Sequence, residues 1–218
     1  MDTQMIQRKP IVVSEDWKIR SELRALGLTA EIIASVARAS AAAKAEALEV
    51  DPSSTPGTLA YIKGVRSIRL QLLPHGWRLS RAGNVESTVN DELGIQVCFQ
   101  NVDVACQERE PQAISGKGAG SRKLIQDGQA DLFDRVDPTT TDALGVTPTV
   151  WVVCVSADAK KLRAELSCPE AFEGSQFEGF SKRIFVVDED LDPGPQEDVG
   201  KPDEDGGASD YEVRISKK

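Results

Sequence analysis

Thr149-Val150-Trp151-Val152-Val153-Cys154-Val155, then the turn Ala157-Asp158-Ala159-Lys160, then Leu162-Arg163-Ala164-Glu165-Leu166-Ser167, is the run that decides the fold class. Val150 to Val155 is apolar without interruption, as in a strand buried on both faces. Leu162, Ala164 and Leu166 alternate with Arg163, Glu165 and Ser167, the two-residue period of a strand with one buried face. A polar turn between two such runs predicts an antiparallel hairpin. A Gly-containing turn near Gly174 then leads to another strand from Ser181 to Val187. Upstream, Trp77 and Leu79 alternate with Arg78 and Ser80 as far as the Gly83-Asn84 turn, and Val85 to Val89 is a return strand. Ile95, Val97 and Phe99 share one face of a strand opened by Gly94 and running to about Val104.

Three helices precede these strands. Ser14 caps the first, with Glu15 and Asp16 favouring its positive end and Trp17, Leu23 and Leu26 as buried contacts. Thr29 caps a second, reaching about Glu49, with Ile32, Ile33, Val36 and Ser40 on one face before a run of alanines. Thr55-Pro56 starts a third, to about Leu73, with Tyr61, Val65, Ile68 and Leu72 as its buried stripe. Lys63, Arg66 and Arg69 form a basic ridge, expected to be a solvated face. The predicted class is therefore α+β: N-terminal helices on one face of an antiparallel sheet of about five strands.

The expected organisation is a loose arm over 1–13, helices and first strands over 14–104, and a long loop over 105–147 without convincing periodicity. The remaining strands occupy 148–187, followed by an acidic disordered tract over 188–210. In the terminal stretch 211–218, Tyr211, Val213 and Ile215 alternate with Glu212, Arg214 and Ser216, the pattern of an edge strand or of strand addition to a partner. Hydrophobic residues make up 40% of the chain and aromatic residues 5%, which predicts a modest core. The net charge of −9 is concentrated: nine acids and one base, Lys201, lie between Asp188 and Asp205, so the body is nearly neutral. Cys98, Cys106, Cys154 and Cys168 have no metal-binding spacing, and with a single histidine, His75, no metal or cofactor is expected. No apolar run reaches membrane-spanning length, and Met1 to Pro10 lacks the apolar centre of a signal peptide. Together with free thiols this gives a cytoplasmic expectation.

Within the 105–147 loop stands Gln129-Ala130-Asp131-Leu132-Phe133. It resembles the pentapeptide by which bacterial polymerases, repair proteins and some mobile-element proteins hold the replication sliding clamp: Gln first, a small polar or acidic residue third, then Leu-Phe. The resemblance covers these five residues alone. It implies a non-enzymatic accessory protein with a bacterial sliding clamp as partner, contacted by Gln129, Asp131, Leu132 and Phe133. Leu132 and Phe133 adjoin amid polar residues, and each would gain about 1.5–3 kcal/mol on entering a partner's pocket. The structural alternative places both in this protein's own core.

Other constellations are weaker. Ser115-Gly116-Lys117-Gly118-Ala119-Gly120-Ser121-Arg122-Lys123 lacks the Gly-Lys-Ser/Thr order of a phosphate-binding loop, because Gly120 is followed by Ser121-Arg122. A basic loop in which Lys117, Arg122 and Lys123 neutralise phosphate or nucleic acid is the lesser functional reading, and a solvated linker the bland one. Glu86, Asp91 and Glu92 lack the companion residues of a metal-dependent nuclease. Cys168 precedes Pro169, but no neighbour in sequence would activate its thiol. Two rivals to the clamp adaptor remain: a protein-protein regulator using the acidic tract, with nucleic-acid mimicry as one mode, and an enzyme acting on nucleic acid or nucleotides.

Overall fold

The computed structural model describes residues 9–116, 118, 120–123, 125–126 and 148–191. Strand β1 (Ile11–Val13) precedes three helices, α1 (Asp16–Ala25), α2 (Ala30–Ala45) and α3 (Thr55–Leu72). Six strands follow: β2 (Arg78–Ser80), β3 (Ser87–Asn90), β4 (Ile95–Asn101), β5 (Thr149–Ala157), β6 (Lys161–Glu173) and β7 (Gln176–Asp190). The class is α+β. The sheet, however, has seven strands rather than about five and is mixed rather than antiparallel, in the order β1-β7-β6-β5-β4-β3-β2. The β1–β7 and β4–β5 pairs are parallel.

Both departures have local causes. Ile11-Val12-Val13 is too short to display a period, and in place of the expected loose arm it forms an edge strand with Val13 buried. Strand polarity depends on the route of the intervening chain, which alternation does not encode. The reading of β5 holds: Trp151, Val153 and Val155 enter the core beneath the helices, and Val150, Val152 and Cys154 enter a second cluster on the other face.

Thr29 caps α2 as expected, its Oγ1 accepting from the Ile32 N–H at 3.2 Å. The helix ends at Ala45, four residues short of the expectation. Small residues Ala37, Ser40 and Ala43 are buried on it, and Gln71 of α3 donates to Ser35 across the interface at 3.2 Å. On α3, Val65, Ile68 and Leu72 are buried, and Gly64 lies directly against the Phe99 ring. The first helix differs more. Glu15, not Ser14, precedes it and makes no side-chain cap, while Ile19 and Leu23 are buried, one turn apart. Trp17 is 65% exposed, with the Lys18 ammonium 5.4 Å from its ring centre. Positions 17 and 19 are separated by about 200° around a helix, so burying Ile19 turns Trp17 outward.

The acidic tract begins later than expected. Asp188, Glu189 and Asp190 belong to β7, where Asp188 pairs with Arg163, Asp190 with Lys161 and Glu189 with Arg38 of α2. Residues 192–210 and the alternating 211–218 stretch lie outside the described residues. No single described helix is long and apolar enough to cross a membrane.

Candidate functional site

Because β4 and β5 run parallel, the chain leaving Asn101 must return along the sheet before Thr149 can pair opposite Ile95. Much of the described part of this crossover, Val102 to Gln126, covers the face opposite the helices, and Ile114 to Ser121 reaches the sheet end beside α3. Val102 bridges Ala113, and Ala105, Ala113 and Ile125 are buried in one cluster with Cys98, Val150 and Val152. By Ile125 the chain already shares a cluster with the start of β5. Twenty-one residues, 127–147, still separate Gln126 from Pro148. Gln129, Asp131, Leu132 and Phe133 all fall in that interval, outside the described residues, as does Lys117. Of the other candidate bases, Arg122 donates from Nη1 to the Gly174 carbonyl at 2.9 Å, tying the crossover to the β6–β7 turn, and Lys123 is exposed.

The Gly-rich stretch borders a groove at the beginning of α3. Gly120 packs on the turn before β3 so closely that a Cβ there would overlap the Gly83 carbonyl oxygen. This fixes Ser115, Gly116 and Ser121 along one wall of a cavity of about 440 Å³. Ser54, just before α3, Thr58 and Tyr61 of α3 and Gln100 at the end of β4 line the other side. Asn101 donates from Nδ2 to the Gly57 carbonyl at 2.9 Å, holding the first turn of α3 to the end of β4. That turn contains no acidic residue, and Ser54 makes no side-chain cap. The described lining combines hydroxyls, amides and backbone with the apolar surface of Ile114 and the Tyr61 ring; it offers hydrogen bonds but supplies no acid-base pair. Among the described residues no cluster of His, Cys, Asp or Glu could hold a metal ion.

The carboxylates considered for nuclease chemistry are occupied by arginines. Glu86 accepts from Arg69 and Arg81, and the Arg69 hydrogen bond holds its carboxyl below the usual range. Asp91 takes a bidentate contact from Arg78 at 2.6 and 2.7 Å. Cys168, next to Pro169, is buried.

Sequence reasoning missed the most polar part of the interior. Glu165 and Arg183 are both 0% exposed and pair through two contacts, Nε to Oε1 at 2.8 Å and Nη2 to Oε2 at 2.7 Å. The Ser167 hydroxyl donates to Oε1 at 2.7 Å and the Cys106 N–H to Oε2 at 2.6 Å, so the carboxylate receives four hydrogen bonds. Cys106 adopts φ 54°, and its thiol donates to the Ala164 and Val187 carbonyls. Burial first, then the Glu165 charge, pushes that thiol up to about 12. It is a structural donor rather than a nucleophile. Alternation had made Glu165 and Ser167 the wet side of β6. The crossover loop that covers them has no periodicity to announce it, and in strands that also carry Lys161, Arg163, Lys182 and Asp188 the charges of Glu165 and Arg183 do not stand out.

No protein-family model, curated protein or solved structure matches the chain.

Proposed function

We propose that this protein is a non-enzymatic adaptor that docks on a bacterial replication sliding clamp through Gln129, Asp131, Leu132 and Phe133. One observation carries the reading: the crossover contains more chain than its path requires. A parallel connection needs about a dozen residues. Here the chain has already reached the cluster around Val150 by Ile125, and the 21 residues that carry the pentapeptide follow. A docking peptide must extend away from its carrier, and spare length in a connection anchored at both ends by the sheet supplies that reach. Burial of Leu132 and Phe133 contributes about 3–6 kcal/mol before ordering costs. A peptide spanning Leu124 to Asp137 is therefore expected to bind the clamp with a Kd of about 1–100 μM. In the full chain, L132A with F133A should abolish binding and leave the melting temperature unchanged. A double variant that melts several degrees lower, with a wild-type peptide that is silent at 100 μM, would make these residues structural and end the proposal.

A second reading, contact with nucleic-acid phosphates through Lys117, Arg122 and Lys123, is favoured by the hydroxyl-lined groove beside the same stretch. Replacing all three by alanine should weaken DNA binding in a salt-dependent way while folding persists. Absence of DNA binding by the wild-type protein at low salt would remove that reading.

A further inference from the structure

The stretch from Asp103 to Gln112 covers the buried Glu165–Arg183 pair as a loop with both ends fixed. At its neck Val102 bridges Ala113, and the Asp103 N–H donates to the Gln112 carbonyl at 3.0 Å. The Val102 N–H is tied to the Val155 carbonyl, and the Gln176 side-chain amide bonds both the N–H and the carbonyl of Ala113. Asp103 clips the loop from inside. Its Oδ1 accepts from the Val104 and Gln112 N–H groups at 2.7 and 2.9 Å, and its Oδ2 from Arg109 Nη1 at 2.8 Å. A short surface segment closed at its base in this way is an Ω-loop. Its hold on the sheet is of another kind. The Ala105 N–H donates to Ser156 Oγ at 3.1 Å, the Cys106 N–H to Glu165 Oε2 at 2.6 Å, and the Cys106 thiol to the Ala164 and Val187 carbonyls. Every one of these links passes through a side chain, and among the described residues no backbone–backbone hydrogen bond involves 104–111.

We propose that residues 104–110 lift off the sheet as a unit, a strap that opens and closes over Glu165 and Arg183 while its neck stays shut. Opening breaks no hydrogen bond of the sheet. The strap's apolar contribution to the cluster beneath is Ala105 and part of Cys106, so little apolar area is lost. Two features of the closed form favour release. Cys106 is held at φ 54°, a backbone conformation that side-chain-bearing residues rarely adopt and that persists only where surrounding contacts enforce it. Arg183 Nη1 is buried without a hydrogen-bond partner among the described residues, and opening admits water to it. Against these stand the links to Ser156, Glu165 and the two carbonyls. Asp103 sets the balance, because its hydrogen bonds hold the loop in the shape that presents Ala105 and Cys106 to the sheet. Without them the freed chain gains conformational entropy and the open form is favoured. In that form the charged pair and the Cys106 thiol become surface groups, so the strap governs access to both. The strap is independent of the clamp motif, and either proposal can fail alone.

The test is native-state hydrogen exchange of the full chain at neutral pH, read at the Ala105 and Cys106 amides with Val153 and Leu166, paired between β5 and β6, as references. Corrected for intrinsic rates, the two strap amides should exchange together and about tenfold or more faster than the references. D103A should accelerate the strap amides about tenfold further and leave Val153 and Leu166 unchanged. Iodoacetamide labelling of Cys106 should rise by a similar factor, while Cys98, Cys154 and Cys168, all buried, stay unlabelled. D103N keeps an acceptor oxygen for the two N–H groups but loses the charge that holds Arg109, and should fall between wild type and D103A. It also carries the comparison should D103A fail to fold. Strap amides that exchange only together with Val153 and Leu166 would overturn the proposal, since the segment would then open only with the whole fold. So would substitutions at Asp103 that accelerate all four amides alike, or none.

Discussion

Helices α1–α3 close one face of the sheet with apolar side chains at helical spacing, whereas the opposite face is closed by the Val102–Gln126 crossover around a charged pair. Under the helices, Ile33, Val36, Val65, Ile68, Phe99 and Val153 pack without polar partners. Such a core tolerates volume-conserving change, because no side chain there depends on a single contact. Under the loop, Glu165 is satisfied only while Arg183, Ser167 and the Cys106 N–H all stay in place. Removing one member strands the others in a dry site. The two faces should therefore respond differently to mutation, the loop face more abruptly.

The largest effect is expected at the buried pair. Glu165→Ala leaves the fully buried Arg183 guanidinium without its counter-charge and should lose about 3–5 kcal/mol in denaturant unfolding. Replacing both by apolar residues, E165L with R183M, should recover most of that loss, because the desolvation of two charges disappears with the pair. A double variant as unstable as the single would mean that the pair positions the crossover in a way that packing cannot replace.

Next comes alkaline pH, acting through the same site. The Cys106 thiol is held near 12 in the fold against an ordinary value near 9, so the fold favours its protonated form. The resulting stability is complete below about pH 9 and is lost as pH rises from there toward 12. One proton limits the slope to about 1.4 kcal/mol per pH unit. The comparison is made with Cys106→Ala, which should lose this component of the slope but retain those of Lys161 and Tyr61, whose titrations are also raised. Identical alkaline slopes in the two proteins would free Cys106 of the role.

The helical face offers a sterically defined change of smaller size. A Cβ at Gly64 would overlap the Phe99 ring, which is itself buried and edge-on to Tyr61 at 6.2 Å. Gly64→Ala gains about 1 kcal/mol of helix propensity and loses about 1–3 kcal/mol to overpacking, for a net loss of up to about 2 kcal/mol if the ring cannot swing clear. F99L in the same background should relieve it. Stabilisation by G64A alone would show that the Phe99 ring swings clear and that this interface has room for a methyl group.

The same contrast explains which parts were legible in the sequence. Thr29, Thr55-Pro56 and the Val65/Ile68/Leu72 stripe marked their helices because caps and helical periods are local. Val150 to Val155 announced a doubly buried strand for the same reason. Sheet order, the two parallel pairs and β1 were hidden, since each depends on where distant chain returns. The pair on the loop face was hidden twice over. Ser167 stands opposite Arg183 and Glu165 opposite Phe185, so the partners are diagonal neighbours across two strands, and their cover is an irregular loop. As for the candidate site, the Gly-rich stretch could be seen, but its docking against Gly83 and the first turn of α3 could not.

The smallest effect sharpens the comparison most, because geometry is held constant. Arg78 and Asp91 make a bidentate contact at 2.6 and 2.7 Å, nearly the distances of the Arg183–Glu165 pair, but their side chains are 55% and 63% exposed. The Arg78 hydrogen bond holds the Asp91 carboxyl below its ordinary value. The sign follows: any stability it gives is present above about pH 4 and is lost as pH falls through the folded value. Water and salt screen this pair on all sides, and ordering two long side chains offsets what attraction remains. Arg78→Ala is therefore expected to leave the unfolding midpoint within measurement error at physiological salt. Any small loss seen at low salt should vanish on adding salt, unlike the loss in Glu165→Ala. Both substitutions break a two-point arginine–carboxylate contact. If R78A destabilised as strongly as E165A, contact geometry rather than burial would set the cost, and the distinction between the two faces would collapse.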